Sequence, residues 1–340
     1  MLMVIFGAGA SYDSVSSFRP GATRERVEEK FRPPLANELF HRVDEFRGLL
    51  SDFPRCREIL NRLEPSPDGI ALVEERLEEL QAEGEAYPVR QRQLLSVRYY
   101  LQKLISQCED HWIRQNHDYT NYVPLLDYIR RQGPACLVTF NYDTMIEKAF
   151  KVSGRSFNTI DDYILDLHYP LFKPHGSTDW ENRVEGIFQS ARPSPDDLIE
   201  NAESLRPMPK IRMRGEGKDP PPPAPHSVWI PALAVPVVTK SDFMCPLAHL
   251  QKLREEIPKV TKLLVIGWRA TEQHFLDLLS KGITRAVQVM AVCGTSDEAG
   301  KTLHQLKSKG VHGELVPFTG GFSDFIQSAQ INQFLAVRQS

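Results

Sequence analysis

The sequence predicts an α/β protein: a parallel sheet with helices on both faces, plus an inserted all-helical module. Three observations lead there. The chain opens on a short continuous apolar run, Met1 to Phe6, which reads as a buried strand. The segment from about residue 35 to 132 is patterned as helix throughout. The last third then alternates apolar runs with helical patterns, the signature of strands joined by crossover helices.

The elements follow in order. After the first strand, Gly7 and Gly9 come with no spacer. Small residues at a strand end let a backbone approach a phosphate closely. The usual dinucleotide fingerprint needs a third glycine, and Ala10-Ser11-Tyr12 stands in its place. On these residues alone, a turn that packs strand against helix is as good a reading as a phosphate loop. Ser11 to Pro34 is polar and is expected to be a loop. "PPLANELFHRVDEF" opens the helical module, with Leu35, Leu39, Val43 and Phe46 at helical spacing. The strongest helix is "VRQRQLLSVRYYLQKLISQCEDHWIRQN", striped by Leu94, Leu95, Val97, Leu101, Leu104, Ile105 and Trp112.

Gly133-Pro134 breaks the pattern, and "ACLVTF" (Ala135 to Phe140) is the second strand, followed by the helix "TMIEKAF". Residues 154–228 read as a mostly irregular, lid-like stretch that takes in "GEGKDPPPPAPH", whose proline run excludes helix and central strand. The strands "TKLLVIG", "AVQVMAVCG" and "GELVPF" then alternate with three helices. The domain reading is a core of residues 1–34 and 133–340, with residues 35–132 as the helical insertion.

Composition narrows the function classes. A chain of 340 residues can bury a large core as one domain or two. A net charge of -3 gives no support to a broad nucleic-acid-binding face. No apolar run approaches a membrane span, and Met1 to Phe6 is too short for a signal peptide and lacks a positive leader. Cys56, Cys108, Cys136, Cys245 and Cys293 are scattered with no C-x-x-C pair, so neither a zinc site nor a disulfide framework is expected. A reducing cytoplasm is the expected location.

Two further stretches carry candidate chemistry. In "VTFNYDTMIEKAF", Asn141 and Asp143 lie between a strand and a helix. A helix cap accounts for one of them well and for both less well. In "LFKPHGSTDW", His175 sits between Pro174 and Gly176 in a rigid turn, and Ser177 follows. A single histidine is more often structural than catalytic.

GAGAS, TFNYD, KPHGS and IGWRATEQHF, in this order on an α/β chain, resemble the sirtuin family. The forms NYD and HGS, with "PPLANELF" and "GGFSDFI", are closest to its bacterial sirtuin-like branch, many members of which are antiviral NAD hydrolases. The resemblance spans most of the core and does not inform the helical insertion. It implies a Rossmann-like fold, and NAD as substrate with no metal. It implies that Gly7, Ala8, Gly9, Ala10 and Ser11 hold the pyrophosphate. Asn141 would orient the attacking water or a ribose hydroxyl, and Asp143 would hold the nicotinamide end or stabilise positive charge. His175 would be the general base. Phe140, Gly176, Ser177, Gly267 and Trp268 would complete the NAD site.

The departures bear on the reaction. Protein-deacylating sirtuins carry two C-x-x-C pairs in a zinc ribbon, and this chain has none. "RPPLANELF" stands where they continue the first loop with Gly-x-Pro-x-Phe-Arg, and Gly267-Trp268-Arg269 stands where they have Gly-Thr-Ser. The expected function is hydrolysis of NAD to ADP-ribose and nicotinamide, in an anti-phage defence effector that depletes NAD. The alternatives are a non-catalytic module sensing NAD or ADP-ribose and, less well supported, an NAD-dependent deacylase. A homo-oligomer is expected, with a possible protein partner from the same defence operon, such as an ATPase. Neither membrane nor direct nucleic-acid binding is expected.

Overall fold

The computed structural model describes residues 1–14, 31–40, 43–63, 73–84, 86–116, 119–188, 190, 193–216, 227–237 and 243–336. Nine strands are present among them: β1 (Leu2–Phe6), β2 (Ala135–Thr139), β3 (Leu171–Phe172), β4 (Gly176–Glu185), β5 (Arg206–Met213), β6 (Ser227–Leu233), β7 (Lys262–Ile266), β8 (Val287–Cys293) and β9 (Gly313–Thr319).

Six of them form one sheet in the order β3-β2-β1-β7-β8-β9, with every pairing parallel. The strand period of two sends alternate side chains of β1 to opposite faces. Val4 and Phe6 join one apolar core with the helices Tyr122–Gln132, Met145–Val152 and Gly321–Gln327. Met3 and Ile5 join the other, with the helices Leu247–Glu256, Gln273–Gly282 and Ser296–Ser308. Strands buried on both faces must be apolar along their whole length, which is why they were legible as continuous runs. The expected doubly covered, Rossmann-like parallel sheet is present. Beyond β1 the chain winds outward through β2 and β3, then returns to β7 on the other side. The carboxyl ends of β1 and β7 therefore flank the point where the winding reverses, the place where open α/β sheets bind ligands.

The helical segment divides. Val43–Leu50, Pro54–Arg57, Leu60–Leu63, Val73–Glu83 and Pro88–Gln115 share a core of their own, with Phe40, Leu77, Tyr100 and Leu104 buried in it. Leu233 and Val235, at and just after the end of β6, complete that core. The helix Tyr122–Gln132 packs instead on the parallel sheet, through Val123, Leu126 and Ile129.

Residues 154–228 are less irregular than expected: where described, loops join the short helices Asp162–Leu165 and Pro195–Glu200 to the strands β3, β4, β5 and the start of β6. β4 pairs antiparallel with both β5 and β6 in a second, three-stranded sheet. β4 does carry the period-two signal: Thr178, Trp180, Asn182 and Val184 are buried and the residues between them are less so. β5 does not read as a strand, because Pro207 and Pro209 lie in it, and the edge position is what tolerates them. The proline run at 220–223 lies outside the described residues, as does most of the expected loop from Ser11 to Pro34. Its first two residues, Ser11 and Tyr12, end the short helix Ala8–Tyr12. The last expected helix is two, Gly321–Gln327 and Ala329–Leu335, separated by Ser328 in an extended conformation.

Candidate active site

Four loops from distant parts of the sequence meet at the carboxyl edge of the sheet. The backbone of the first is held by that of the last. The Gly7 amide donates to the Ile266 carbonyl at 3.0 Å, and the Gly9 amide donates to the Gly267 carbonyl at 3.1 Å. A Cβ on Gly7 would stand 2.5 Å from the Gly267 oxygen and 2.6 Å from the Trp268 Cα. Gly267 has a φ of +58°, and a Cβ on it would run into the backbone of Gly9 and Ala10. The glycines are therefore required for the loops to touch. Of the alternatives open at this stretch, close packing is met directly. Among the described residues, the exposed Ala8 amide makes no hydrogen bond and is the donor this loop leaves open.

Ser11 turns inward from the short helix. Its hydroxyl lies 2.9 Å from the Tyr122 hydroxyl and accepts from the Asn141 side-chain amide at 2.9 Å. The same amide donates to the Tyr122 oxygen at 3.2 Å. Asn141 is 6% exposed, and no hydrogen bond reaches its Oδ1 among the described residues. Asp143, also buried, accepts from the Met145 amide at 3.1 Å, one residue ahead of Thr144, which is the N-cap of the helix Met145–Val152 and makes no side-chain cap bond. Burial pushes the Asp143 carboxyl up, and the nearby Glu109 adds to that. Lys173 and the Ser11 hydroxyl oppose the shift.

The Phe140 ring joins the remaining two loops. It stacks on Trp268 at 5.2 Å with the planes 8° apart, and it meets the His175 ring at 4.8 Å. His175 is 3% exposed, and its carbonyl accepts from the Ala234 amide at 2.9 Å. Gly176, with a φ of +82°, lies against the Ala232 carbonyl, where no side chain would fit. The hydroxyl of the buried Ser177 donates to the Tyr142 carbonyl at 3.3 Å, and the Thr178 amide donates to the same oxygen at 2.8 Å. Trp268 donates through its indole to Glu272 at 2.5 Å. The structure thus brings all the sequence-chosen residues together, from Gly7 through Trp268.

Sequence reasoning missed five residues that hold this arrangement. Lys173 is wholly buried; its ammonium donates to the Asp143 carbonyl and, at 2.9 Å, to Glu147. Tyr163 donates to the same Glu147 oxygen at 2.9 Å. Glu109, from the helical module, accepts from the Thr144 amide at 2.9 Å and from its hydroxyl at 2.6 Å, at the start of the helix Met145–Val152. Tyr122 had no signal in the sequence. Lys173 and Glu147 had a faint one, standing two residues before His175 and four after Asp143.

The chain is a Rossmann-like α/β protein whose motif loops form one buried polar cluster at the switch point of the sheet. Its sequence matches no protein-family model and no curated protein. Solved structures similar to it include a Sir2 homologue mutant in complex with 2'-O-acetyl ADP ribose, at 13% identity and a TM-score of 0.40, covering 100% of this chain and 94% of the other. A Sir2 homolog–NAD complex is similar at 13% identity and a TM-score of 0.37, over 98% and 90% of the two chains. A third, described as a structural basis for the mechanism and regulation of Sir2 enzymes, has 11% identity and a TM-score of 0.40, over 98% and 91%. Among the described residues no group of His, Cys, Asp and Glu is placed to hold a metal, and no helix is long and apolar enough to cross a membrane.

Proposed function

We propose that this chain binds NAD at the β1–β7 edge and hydrolyses it to ADP-ribose and nicotinamide. The observation that carries the reading is the junction of Ser11 with Asn141, beside a Phe140 ring in contact with both His175 and Trp268. An apolar floor with a few convergent polar groups is the usual make-up of a small-molecule site. In the reaction, a water oxygen bonds to the anomeric carbon of the ribose. The bond to the nicotinamide nitrogen breaks, and nicotinamide leaves with the bonding pair. The water proton passes to the His175 imidazole, which acts as the general base. Asn141, tethered through its amide to Ser11 and Tyr122, presents Oδ1 to the water or to a ribose hydroxyl. Ala8 offers its amide to a phosphate oxygen. Exclusion of bulk water by the Phe140–Trp268 stack strengthens each of these contacts.

One observation favours a second reading, a module that binds NAD or ADP-ribose without turnover: Asn141 and His175 are 6% and 3% exposed, so substrate and water reach them only if the loops part. Incubation with NAD separates the two, since free nicotinamide forms only on the first reading. As an anti-phage effector the enzyme would be held inactive until assembly with itself or with an operon partner. Nicotinamide release measured against protein concentration, alongside the mass in solution, tests that part. A monomer of full and constant specific activity would refute it.

A further inference from the structure

The helical module reaches all four loops of the site. From the helix Pro88–Gln115, Gln102 donates to the Thr178 carbonyl at 2.9 Å, just past the HGS turn. Glu109 accepts from Thr144 at the end of the NYD turn. Trp112 donates through its indole to the Ser14 carbonyl at 2.7 Å, just past the glycine loop and its short helix. From the helix Val73–Glu83, Glu74 accepts from Arg269, next to Trp268. Positions 102, 109 and 112 recur at helical spacing, so one face of one helix carries three of these ties. Each of the three ends on a backbone atom, so it fixes the course of a loop.

The tie at Thr144 acts nearest the chemistry. Glu109 is 2% exposed, and its two oxygens take the Thr144 amide at 2.9 Å and the Thr144 hydroxyl at 2.6 Å. Lys148 balances its charge at 2.9 Å. A threonine at an N-cap ordinarily turns its hydroxyl onto its own helix. Thr144 bonds Glu109 instead, so a local bond is exchanged for one to the module, 35 residues away in sequence. The rest of the turn is held from the core: Asn141 by Ser11 and Tyr122, and the Asp143 carbonyl by Lys173. The Tyr142 carbonyl accepts from the amide of Thr178, whose own carbonyl Gln102 holds. We propose that Glu109 is a positioning residue for NAD cleavage: through Thr144 it sets the place of the NYD turn, and so of the Asn141 Oδ1. This rests on the NAD reading and gives the helical module a part in turnover. Hydrogen bonds to a carboxylate are stronger than neutral ones and suit the holding of a turn. A small displacement of a group that orients water is costly in rate. Phosphate binding is spared, because the Ala8 amide lies on the glycine loop and the bonds of Glu109 go to the NYD turn and its helix.

The test is nicotinamide release by the full chain against NAD concentration, with ADP-ribose affinity from titration calorimetry, both at a temperature where every variant is folded. Glu109→Ala should lower kcat about 10- to 100-fold and leave KM and ADP-ribose affinity within about threefold. Glu109→Gln keeps an acceptor for the Thr144 amide and should recover most of the loss. A residue that only stabilises the fold would lower the unfolding temperature and leave kcat per folded molecule unchanged; that result overturns the proposal and leaves the NAD reading standing. An ADP-ribose affinity that falls as far as kcat also overturns it, as does a Glu109→Gln protein as slow as Glu109→Ala. Should Glu109→Ala not fold, Thr144→Val loses the hydroxyl bond and keeps the amide bond. It should lower kcat about three- to tenfold at unchanged ADP-ribose affinity, and a parental kcat overturns the proposal equally. A parent chain that releases no nicotinamide overturns both the proposal and the hydrolysis on which it rests.

Discussion

The side-chain amide of Asn141 donates to the hydroxyl of Ser11 at 2.9 Å, across 130 residues of sequence. That bond joins the end of β2 to the helix after β1, and Tyr122 closes the triangle. It is a direct side-chain link between the glycine loop and the NYD loop, so a substitution at either end disturbs both loops.

Removing the Asn141 side chain should separate function from stability. In Asn141→Ala the Ser11 and Tyr122 hydroxyls can still bond each other, so the stability cost should be only about 1 kcal/mol. Nicotinamide release should fall by about 100-fold or more. Activity that survives with lowered stability would make Asn141 a structural residue. His175→Ala should likewise lose turnover while NAD affinity stays within about tenfold. Single-turnover kinetics with calorimetry on both variants checks this.

Gly267→Ala should be strongly destabilising. The added methyl enters the Gly9–Ala10 backbone, and the φ of +58° is one that alanine adopts poorly. A loss of about 1–3 kcal/mol or more is expected in a denaturant titration. A neutral result would mean that the two loops do not touch.

The buried pair of Lys173 and Glu147 makes a third test. Lys173→Met alone strands the Glu147 carboxylate, one of whose oxygens already lacks a partner. A loss of about 3–5 kcal/mol is expected. The double variant Lys173→Met/Glu147→Leu should recover much of it. Equal destabilisation in single and double variants would show no coupling.

His249 predicts acid lability. Burial pulls its imidazole from 6.5 down to about 4, so the folded chain keeps it neutral where the unfolded chain takes up a proton. The unfolded state binds more protons in this window, so stability rises with pH. The contribution is fully present above 6.5 and is lost as pH falls toward 4. Its size is roughly 3 kcal/mol. Thermal unfolding across that range should show a steep acid limb, flattened in His249→Gln. An identical limb in the variant would assign the lability elsewhere.

The sequence alone determined the parallel sheet and the short list of polar residues at its edge. Strands buried on both faces must be apolar throughout, and a strand end that meets another backbone must be small. Both demands act on neighbouring residues and can be read from them. Tertiary structure alone decided the rest. The sheet of β4, β5 and β6 was hidden because an edge strand tolerates prolines and half-buried strands carry charge. That Gly7 and Gly9 serve a loop contact with Gly267 could not be read, because their amide partners lie about 260 residues away. Tyr122 and Glu109 carried no local mark, since an aromatic or a carboxylate on a helix looks the same whether it faces water, core or site. What distinguishes them is the set of atoms opposite, and only the packing of helix on sheet supplies those.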